Sequence, residues 1–395
     1  MRTCSKCNYP SNHPLGITFN TSNLCSGCIT HNEKYEIDWS ARKELFLEML
    51  VKYKKKSKSF YDCVIPVIGD AEDYYVIQII LDLGLNPLIV NVNDYFLNDI
   101  GWHNLHNLIT YFDLDSLLYN PDIKTYKELV ATSLRKYNHG MWPSLSLRSA
   151  FPVHVAKQRK ISLIIYGQNQ PIEQIGKFSH YDEVQSSHWS RIEHDLLGIN
   201  IKEMCGSGGN VDPKDISYYS YPELEKLGKG LLVGLYLNNY FLWDPLAQNY
   251  KTLNYGFKGQ LQSCTFDPYE RAGSSMYYGF HDLSKQLRCG YRKINDHVAR
   301  EIRHKRLTTK DGLSIINQFS QRPLYIKDFF KWLNISNSGY EWFLQHRLSK
   351  LNHLISDVPI SFEDDIALPD EIQSIIKPSH KAKINFQSFS KGISL

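Results

Sequence analysis

Four of the eight cysteines of the chain lie in the first 28 residues, as two CxxC pairs. Each pair, Cys4 with Cys7 and Cys25 with Cys28, can place two thiolates on one tight turn, where both reach the same metal ion. The 17-residue connection between the pairs is typical of a zinc ribbon. Four thiolates complete a tetrahedral site with no open position, so we expect Zn²⁺ with a structural role. A pair of redox motifs is the alternative, but such motifs rarely occur twice at this spacing.

A second polar cluster follows the apolar run VIPVI at residues 64–68. The run predicts a buried strand, and DYYVIQIILDLG predicts a helix that begins a few residues later. The turn between them, GDAED, contains Asp70, Glu72 and Asp73. The amino end of a helix that follows a strand is where α/β proteins bind phosphate, and carboxylates repel phosphate. The turn is therefore either a different kind of site or an altered phosphate loop.

Strand and helix patterns alternate through residues 61–167, and the strands are almost continuously apolar. This alternation predicts an α/β fold with a parallel sheet covered on both faces. Ligands of such sheets bind beyond the carboxyl ends of the strands. Two polar loops emerge there, GDAED and the loop GQNQPIEQIGKF at residues 167–178, and we predict that they form a site. Farther along, LLVGLYLNNYFLWDP predicts a buried strand or helix that ends at Pro245.

Composition and charge describe an ordinary globular chain, with 395 residues, 42% hydrophobic residues and a net charge of +4. No apolar run approaches the roughly 20 residues that span a bilayer, so we expect no membrane span and a cytoplasmic protein. The lysine cluster VKYKKKSKSF could contact phosphates, but we interpret it as the solvated end of a helix, and nucleic acid is not an expected partner. The predicted segments are a zinc ribbon (1–38), a connecting helix with a Lys-rich linker (39–60), an α/β domain (61–200), a mainly helical region (201–350) and a tail extension (351–395).

Motifs spread in order over roughly residues 1–345 resemble the N-acetyl sugar amidotransferase family of lipopolysaccharide and flagellin-glycan biosynthesis. They follow the cysteine pairs and read EIDWSARKEL, YDCVIPV, GWHNLHNL, FPVHVAKQRKISLIIYGQN, NYFLWDP, YGFKG and CGYRKINDHVAREIRHKRLTTKDGL. The resemblance implies a PP-loop ATP pyrophosphatase with an adenine-nucleotide α-hydrolase-like sheet. It also implies conversion of a sugar N-acetyl group to an acetamidino group. In that reaction ATP adenylates the amide oxygen, and ammonia from a separate glutaminase displaces AMP.

The PP-loop of that family reads Ser-Gly-Gly-Lys-Asp-Ser, and its glycines, lysine and hydroxyls bind pyrophosphate while the aspartate holds Mg²⁺. When PVIGDAEDYY is aligned to it, one position is identical. The six aligned residues are Ile68, Gly69, Asp70, Ala71, Glu72 and Asp73. Loss of the lysine and gain of acids oppose ATP binding, since unit charges about 4 Å apart repel by roughly 4 kcal/mol at an effective dielectric of about 20. The alternative is that the acids hold Mg²⁺, which prefers oxygen ligands.

The second loop departs from the family pattern as well. The family has Gly-Glu-Asn and then Glu-Tyr-Gly-Gly, whereas the corresponding residues here are Gly167, Gln168, Asn169, Glu173 and Lys177. Gln168 replaces a carboxylate that the resemblance implies as a metal or substrate ligand. In the C-terminal region the resemblance implies a sugar-side wall, and we expect it to include Arg292, His297, Glu301 and Arg303. A structural salt-bridge role for these four is the alternative.

Two hypotheses follow. One is an ATP-dependent amidotransferase that acts on an N-acetylated sugar and receives ammonia from a glutaminase subunit. The other is a non-catalytic family member that binds the glutaminase, a catalytic paralogue or a glycan intermediate. Two altered site loops on a preserved scaffold favour the second hypothesis, and ATP and Mg²⁺ are expected as cofactors only if the altered turn still binds them.

Overall fold

The computed structural model describes residues 2–182, 196–205, 211–222 without 213 and 215, 232–349, 351 and 367–376. The side chains of residues 275–277 lie outside this description. Most of the predicted tail extension, 351–395, is also outside it, as are parts of the segment between residues 183 and 231.

The described residues form a five-stranded sheet in which all strands run parallel, in the order β3-β2-β1-β4-β5. The strands are β1 (Cys63–Val67), β2 (Pro87–Val92), β3 (Ser116–Tyr119), β4 (Leu163–Tyr166) and β5 (Val233–Tyr236). The order 3-2-1-4-5 occurs in doubly wound nucleotide-binding sheets. The predicted parallel α/β fold is therefore confirmed.

Helices connect and cover the strands. Within the described residues they are α1 (Ser26–Glu33), α2 (Trp39–Lys54), α3 (Ala71–Asp82), α4 (Asp99–Tyr111), α5 (Ile123–Tyr137), α6 (Trp142–Arg159), α7 (Gln170–Ile175), α8 (Pro245–Lys251), α9 (Ser275–Cys289), α10 (Ile294–Arg303), α11 (Thr309–Ser320), α12 (Lys327–Trp332), α13 (Asn337–Arg347) and α14 (Asp370–Ile376). The buried strand or helix expected to end at Pro245 is a strand, β5, but it ends at Tyr236, and Pro245 opens α8. Proline suits the first turn of a helix because its missing N–H would have no partner there.

Each face of the sheet carries its own core. Alternate residues of a strand point to opposite faces, so Ile65 and Val67 of β1 pack on one side and Val64 packs on the other. The first core continues into the four cysteines of the amino-terminal segment, and the second includes α5 and α6. Both faces are buried, which explains the nearly continuous apolar strands.

The amino-terminal ribbon lies against the C-terminal helices. Isolated bridges pair Thr3 with Pro10 and Phe19 with Cys25, and α1 follows directly. The Tyr9 hydroxyl donates a 2.7 Å hydrogen bond to Asp296 of α10. This bond joins residues far apart in sequence. The ribbon cysteines and the sheet residues also belong to one hydrophobic core, so the ribbon packs as part of the sheet domain.

Helix length and polarity bear on the predicted absence of a membrane span. Within the part of the chain that the structure describes, every helix is too short or too polar to cross a bilayer.

Candidate functional site

A cavity of about 360 Å³ lies at the carboxyl ends of the strands. The turn after β1, the loop after β4 and residues of α10 all line it, so the two predicted site loops come together. The predicted residues on its wall are Ile68, Asp70, Glu72, Asp73, Gly167, Gln168, Asn169, Glu173, His297 and Arg303. This position agrees with the general rule that ligands of parallel sheets bind at the carboxyl edge.

The turn after β1 uses its own acids to satisfy its backbone. The Ile68 and Asp70 N–H groups donate to Asp73 Oδ2 at 2.8 and 2.9 Å, and the Ala71 N–H donates to Asp70 Oδ1 at 3.2 Å. Asp70 and Asp73 form a capping box at the start of α3. In an anion-binding nest such amides point to the ligand. Here carboxylates of the chain occupy the place of the anion.

Gly69 is the residue identical to the PP-loop pattern in the alignment, and the geometry of the turn explains why glycine stands there. Its φ of +83° lies in the left-handed region, and an added Cβ would lie 2.9 Å from the Leu105 nitrogen. A side chain would therefore be strained and would also collide with α4. The backbone path of the turn therefore depends on glycine at residue 69.

Glu72 links the two site loops. Its Oε1 accepts a 2.8 Å hydrogen bond from the Gln168 N–H. A Cβ added to Gly167 would lie 2.0 Å from the same oxygen, so this close approach requires glycine at residue 167. The Glu72 carboxylate is therefore held against the backbone of the second loop.

Burial changes the protonation of these acids. It raises the pKa of Asp70 to about 8, and the nearby Arg271 opposes this rise only in part. Burial likewise raises the pKa of Glu72 to about 8 against the hydrogen bond from Gln168. The pKa of Asp73 is also raised by burial. Since a group is mostly protonated below its pKa, Asp70 and Glu72 are largely uncharged at neutral pH.

The opposite wall consists of an ion-pair network on α10 and the loop before α9. His297 Nε2 lies 2.6 Å from Glu270 Oε2, and Lys293 Nζ lies 2.6 Å from Glu270 Oε1. Burial would raise the pKa of Glu270, but Lys293 and His297 hold it well below its usual range. Arg300 pairs with Asp267 at 2.8 Å. This wall therefore keeps its acids ionised, unlike the turn after β1.

Three of these side chains are close enough to be considered as metal ligands. Atoms of Asp267, Glu270 and His297 lie within 4.8 Å of one another. Both carboxylates already have a cation partner, Arg300 or Lys293. The Nδ1 atom of His297 contacts the Thr265 hydroxyl. The arrangement is satisfied as a hydrogen-bonded network without a metal.

The predicted cluster of four cysteines is confirmed, and its geometry fits Zn²⁺. The four sulfurs are buried and lie within 4.8 Å of one another. Cys4 Sγ is 3.9 Å from Cys28 Sγ, and Cys7 Sγ is 3.6 Å from Cys25 Sγ. Sulfurs bound to zinc at about 2.3 Å in a tetrahedron lie about 3.8 Å apart. Zinc held there would cross-link the ribbon, with no position for a reactant.

Arg303 lies between this cluster and the second site loop. Its Nη2 is 3.7 Å from Cys7 Sγ and 3.6 Å from Cys25 Sγ. Its Nη1 donates to the carbonyl oxygens of Glu173 and Gln174 at 3.0 and 2.8 Å. The residue expected on the sugar-side wall therefore contacts two of the four sulfurs and positions α7.

Five predicted site residues do not line the cavity, as far as the described residues define it: Gly69 and Ala71 of the turn after β1, and Arg292, Glu301 and Lys177. Arg292 is buried in the core, where its guanidinium contacts Asp282 at 2.7 Å and carbonyls near the end of α11. Glu301 lies between Arg300 and Arg306, at 2.5 Å from each. Lys177 donates to the Leu15 carbonyl at 3.0 Å, because the chain turns toward the ribbon after α7. These contacts assign Arg292, Glu301 and Lys177 to the scaffold.

Two further loop residues also have structural partners. Glu173 Oε2 accepts from the buried Lys34 at 2.6 Å, and its Oε1 accepts from Asn238 at 3.0 Å. The Asn169 side chain caps α7 by accepting from the Ile172 N–H at 3.3 Å. The second loop is therefore fixed by its surroundings and does not present a free carboxylate to the cavity.

Several cavity residues were missed by the sequence reasoning. These are Arg148, Glu270, Arg271, Lys293, Asp296, Arg300 and His304. The sequence did carry a signal for Lys293, Asp296, Arg300 and His304. Their spacing of three or four residues places them on one face of α10 and the residues that flank it. Arg148 and Arg271 come from segments that give no local indication of a site.

Comparison with known proteins gives a match over roughly the C-terminal third of the chain. A family model described as LPS biosynthesis protein WbpG-like, C-terminal domain, matches residues 263–388. This stretch contains Glu270, Arg271 and all of α10, so the matched region supplies one wall of the cavity. Among curated proteins, no sequence match was found. One matching solved structure is NMN synthetase from Francisella tularensis, at 12% identity and a TM-score of 0.29, covering 49% of this chain and 82% of that chain.

Proposed function

We propose that the protein is a non-catalytic relative of the sugar amidotransferases and that it binds an N-acetylated glycan intermediate during lipopolysaccharide biosynthesis. The match of residues 263–388 supports the pathway. The observation that carries the loss of catalysis is the turn after β1, where Asp73 accepts the N–H groups of Ile68 and Asp70. A triphosphate would have to displace this carboxylate to use those donors.

Protonation does not restore the phosphate site. Burial keeps Asp70 and Glu72 mostly neutral near pH 7, which reduces charge repulsion. The amides nevertheless remain occupied, and Ala71 stands where the PP-loop has its lysine. Binding would have to proceed without the backbone nest and without the cation that normally supply phosphate affinity.

The cavity itself supports binding of a small polar ligand. Its volume of about 360 Å³ falls in the range of ligand pockets, roughly 300–1,000 Å³. Lys293, Arg300 and Arg271 line it, together with the amides of Gln168 and Asn249. The buried oxygens Gln168 Oε1 and Asn249 Oδ1 have no hydrogen-bond partner within the described structure. Sugar hydroxyl and N-acetyl groups would satisfy such atoms, since buried polar groups are normally hydrogen-bonded.

One observation favours the catalytic alternative. Asp70 and Glu72 both line the cavity near the turn, and carboxylate oxygens are the ligands that Mg²⁺ prefers. If they held Mg²⁺ with ATP, the protein would be an amidotransferase supplied with ammonia by a glutaminase partner. Such an enzyme would release pyrophosphate when sugar and ATP are present, and it would turn over repeatedly only when ammonia is present to displace AMP.

Two assays on the purified zinc-loaded protein test the proposal. A thermal-shift screen of nucleotide-linked N-acetylhexosamines without ATP should find at least one sugar that raises Tm. The Lys293→Gln variant should lose this shift, and exposed Lys310→Gln should keep it. Pyrophosphate release with Mg²⁺, ATP, ammonium and the same sugars should stay at background. Sugar-dependent pyrophosphate release would establish the enzyme, and the absence of any sugar shift would contradict glycan binding.

A further inference from the structure

The end of the molecule opposite the cavity carries a basic surface built from two segments that are distant in sequence. One is the end of α2 with the turn that follows it, and the other is the end of α6. They lead into β1 and β4, which pair in parallel through Val64 and Ile164, so both segments lie at the amino edge of the sheet. The cations of this basic surface are Lys52, Lys54, Lys55, Lys56, Lys58, Lys157, Arg159 and Lys160.

Direct contacts join the two segments. The Lys58 N–H donates to the Lys160 carbonyl at 3.1 Å, and the Ser57 hydroxyl donates to the same carbonyl at 3.4 Å. Six of the eight cations are exposed, and Lys56 and Lys157 are partly exposed. Two acids lie nearby: Asp62, which is mostly buried and pairs with Lys54 at 3.0 Å, and Asp115, which accepts from the Tyr61 hydroxyl at 3.0 Å. The surface therefore retains a large positive excess.

An exposed aromatic side chain, Phe60, lies among these cations. Phe60 is 81% exposed, more than any other large hydrophobic side chain in the described residues. Val51, on the outer side of α2, is 56% exposed. Isolated exposed apolar residues are common on protein surfaces, but a nearly fully exposed phenylalanine within a lysine cluster combines two features that bind a lipid headgroup region.

Stabilisation of the helix ends does not account for this surface. Cations near a helix C-terminus interact favourably with its dipole, but that effect falls off within the last turn. Lys58 and Phe60 lie beyond the end of α2, and Phe60 contributes nothing to such an interaction. Single-stranded nucleic acid would need several aromatic rings for successive bases, whereas this surface offers one fully exposed ring.

We propose that the basic surface docks the protein on an anionic phospholipid bilayer. The lysines would face the phosphate headgroups, and Phe60 would enter the interface between headgroups and acyl chains. Docking by the amino edge of the sheet would leave the cavity, at the carboxyl edge, facing the aqueous phase. This inference is independent of whether the cavity binds sugar or ATP.

Flotation of the full-length protein with vesicles tests this inference. Wild-type protein should float with vesicles of equimolar phosphatidylglycerol and phosphatidylcholine, remain behind with pure phosphatidylcholine, and be released by salt. Each Lys near an anionic surface contributes about 1 kcal/mol, or about fivefold in affinity. The double variant Lys55→Gln, Lys58→Gln should therefore bind roughly 25-fold more weakly. Phe60→Ala should also weaken binding.

Matched controls distinguish binding through the basic surface from a general effect of the protein's positive charge. The double variant Lys310→Gln, Lys331→Gln removes the same charge elsewhere, and Leu313→Ala removes another exposed apolar side chain; both should bind like wild type. The proposal is overturned if the wild type does not float with anionic vesicles, or if both double variants bind equally. It is also overturned if a DNA duplex binds at least as tightly and Phe60→Ala leaves vesicle binding unchanged.

Discussion

Asp73 Oδ2 lies 2.8 Å from the Ile68 nitrogen, across a turn where a PP-loop would present that N–H group to phosphate. The carboxylate belongs to the first turn of α3 and also accepts from the Asp70 N–H at 2.9 Å. The turn is thus a complete capping structure that needs no ligand. This relationship is the basis of our proposal that the turn does not bind a nucleotide phosphate.

Glu72→Gln should reduce the pH dependence of stability. Burial raises the folded pKa of Glu72 from 4.5 to about 8, so the folded state binds more protons than the unfolded state between these values. The stability contributed by the protonated group is therefore fully present below 4.5 and is lost as pH rises through about 8. Glutamine can still accept from Gln168, and it does not titrate. Urea midpoints measured across this interval should fall less steeply for Glu72→Gln, whereas exposed Glu44→Gln should follow the wild type.

Gly167→Ala should destabilise the fold by about 1–3 kcal/mol, the usual cost of forcing extra atoms into a packed site. The added Cβ would lie 2.0 Å from Glu72 Oε1. Adding Glu72→Ala should restore part of this loss because it removes the colliding atom. Denaturant unfolding of the two single variants and the double variant measures the coupling. Simple additivity of the two effects would contradict the described contact.

Arg303→Met should weaken zinc retention by about 10- to 100-fold, as is common when a group bonded to a metal ligand is removed. The guanidinium lies 3.6–3.7 Å from two of the sulfurs. Zinc transfer to a chromogenic chelator provides the readout. The matched control is Arg306→Met, which removes a buried ion pair with Asp244 and Glu301 but no sulfur contact. Equal zinc release by the two variants would mean that Arg303 acts only through general stability.

Tyr9→Phe should destabilise the protein by about 1.5–3 kcal/mol, the range for a hydrogen bond to a charged group. The hydroxyl donates to Asp296 at 2.7 Å. Burial alone would raise the pKa of that acid, but Lys285 and Lys293 hold it at about 2. Denaturant midpoints should shift for Tyr9→Phe and not for Tyr35→Phe, whose ring is exposed. An unchanged midpoint for Tyr9→Phe would show that the ribbon does not depend on this bond.

The sequence was sufficient to predict the first four strands and the meeting of two loops, because apolar runs and turns are local signals. Local patterns could not place Lys177 correctly. Gly176 has a φ of +60° and an added Cβ would contact the Ser26 carbonyl, so the chain turns to the ribbon at that point. The sulfur contacts of Arg303 and the position of Arg148 depend on packing between distant segments. Such contacts leave no periodic pattern in a single sequence.

The acids of the turn also show what residue types alone leave undecided. From the sequence, Asp70 and Asp73 leave metal binding open as an alternative, although loss of function is favoured. The structure adds the hydrogen-bond partners, which are backbone N–H groups of the same turn and, for Asp70, also the Arg271 N–H at 2.8 Å. Burial then raises the pKa of both acids, which alignment with a PP-loop could not predict.

Calorimetric titration with ATP and Mg²⁺ tests the central claim most directly. The wild-type protein should give no heat of ATP binding. A variant whose turn carries the PP-loop residues should bind ATP. That variant carries Ile68→Ser, Asp70→Gly, Ala71→Lys, Glu72→Asp and Asp73→Ser. Saturable ATP binding by the wild type, lost in Ala71→Glu, would contradict the claim that the turn has replaced the phosphate with its own carboxylates.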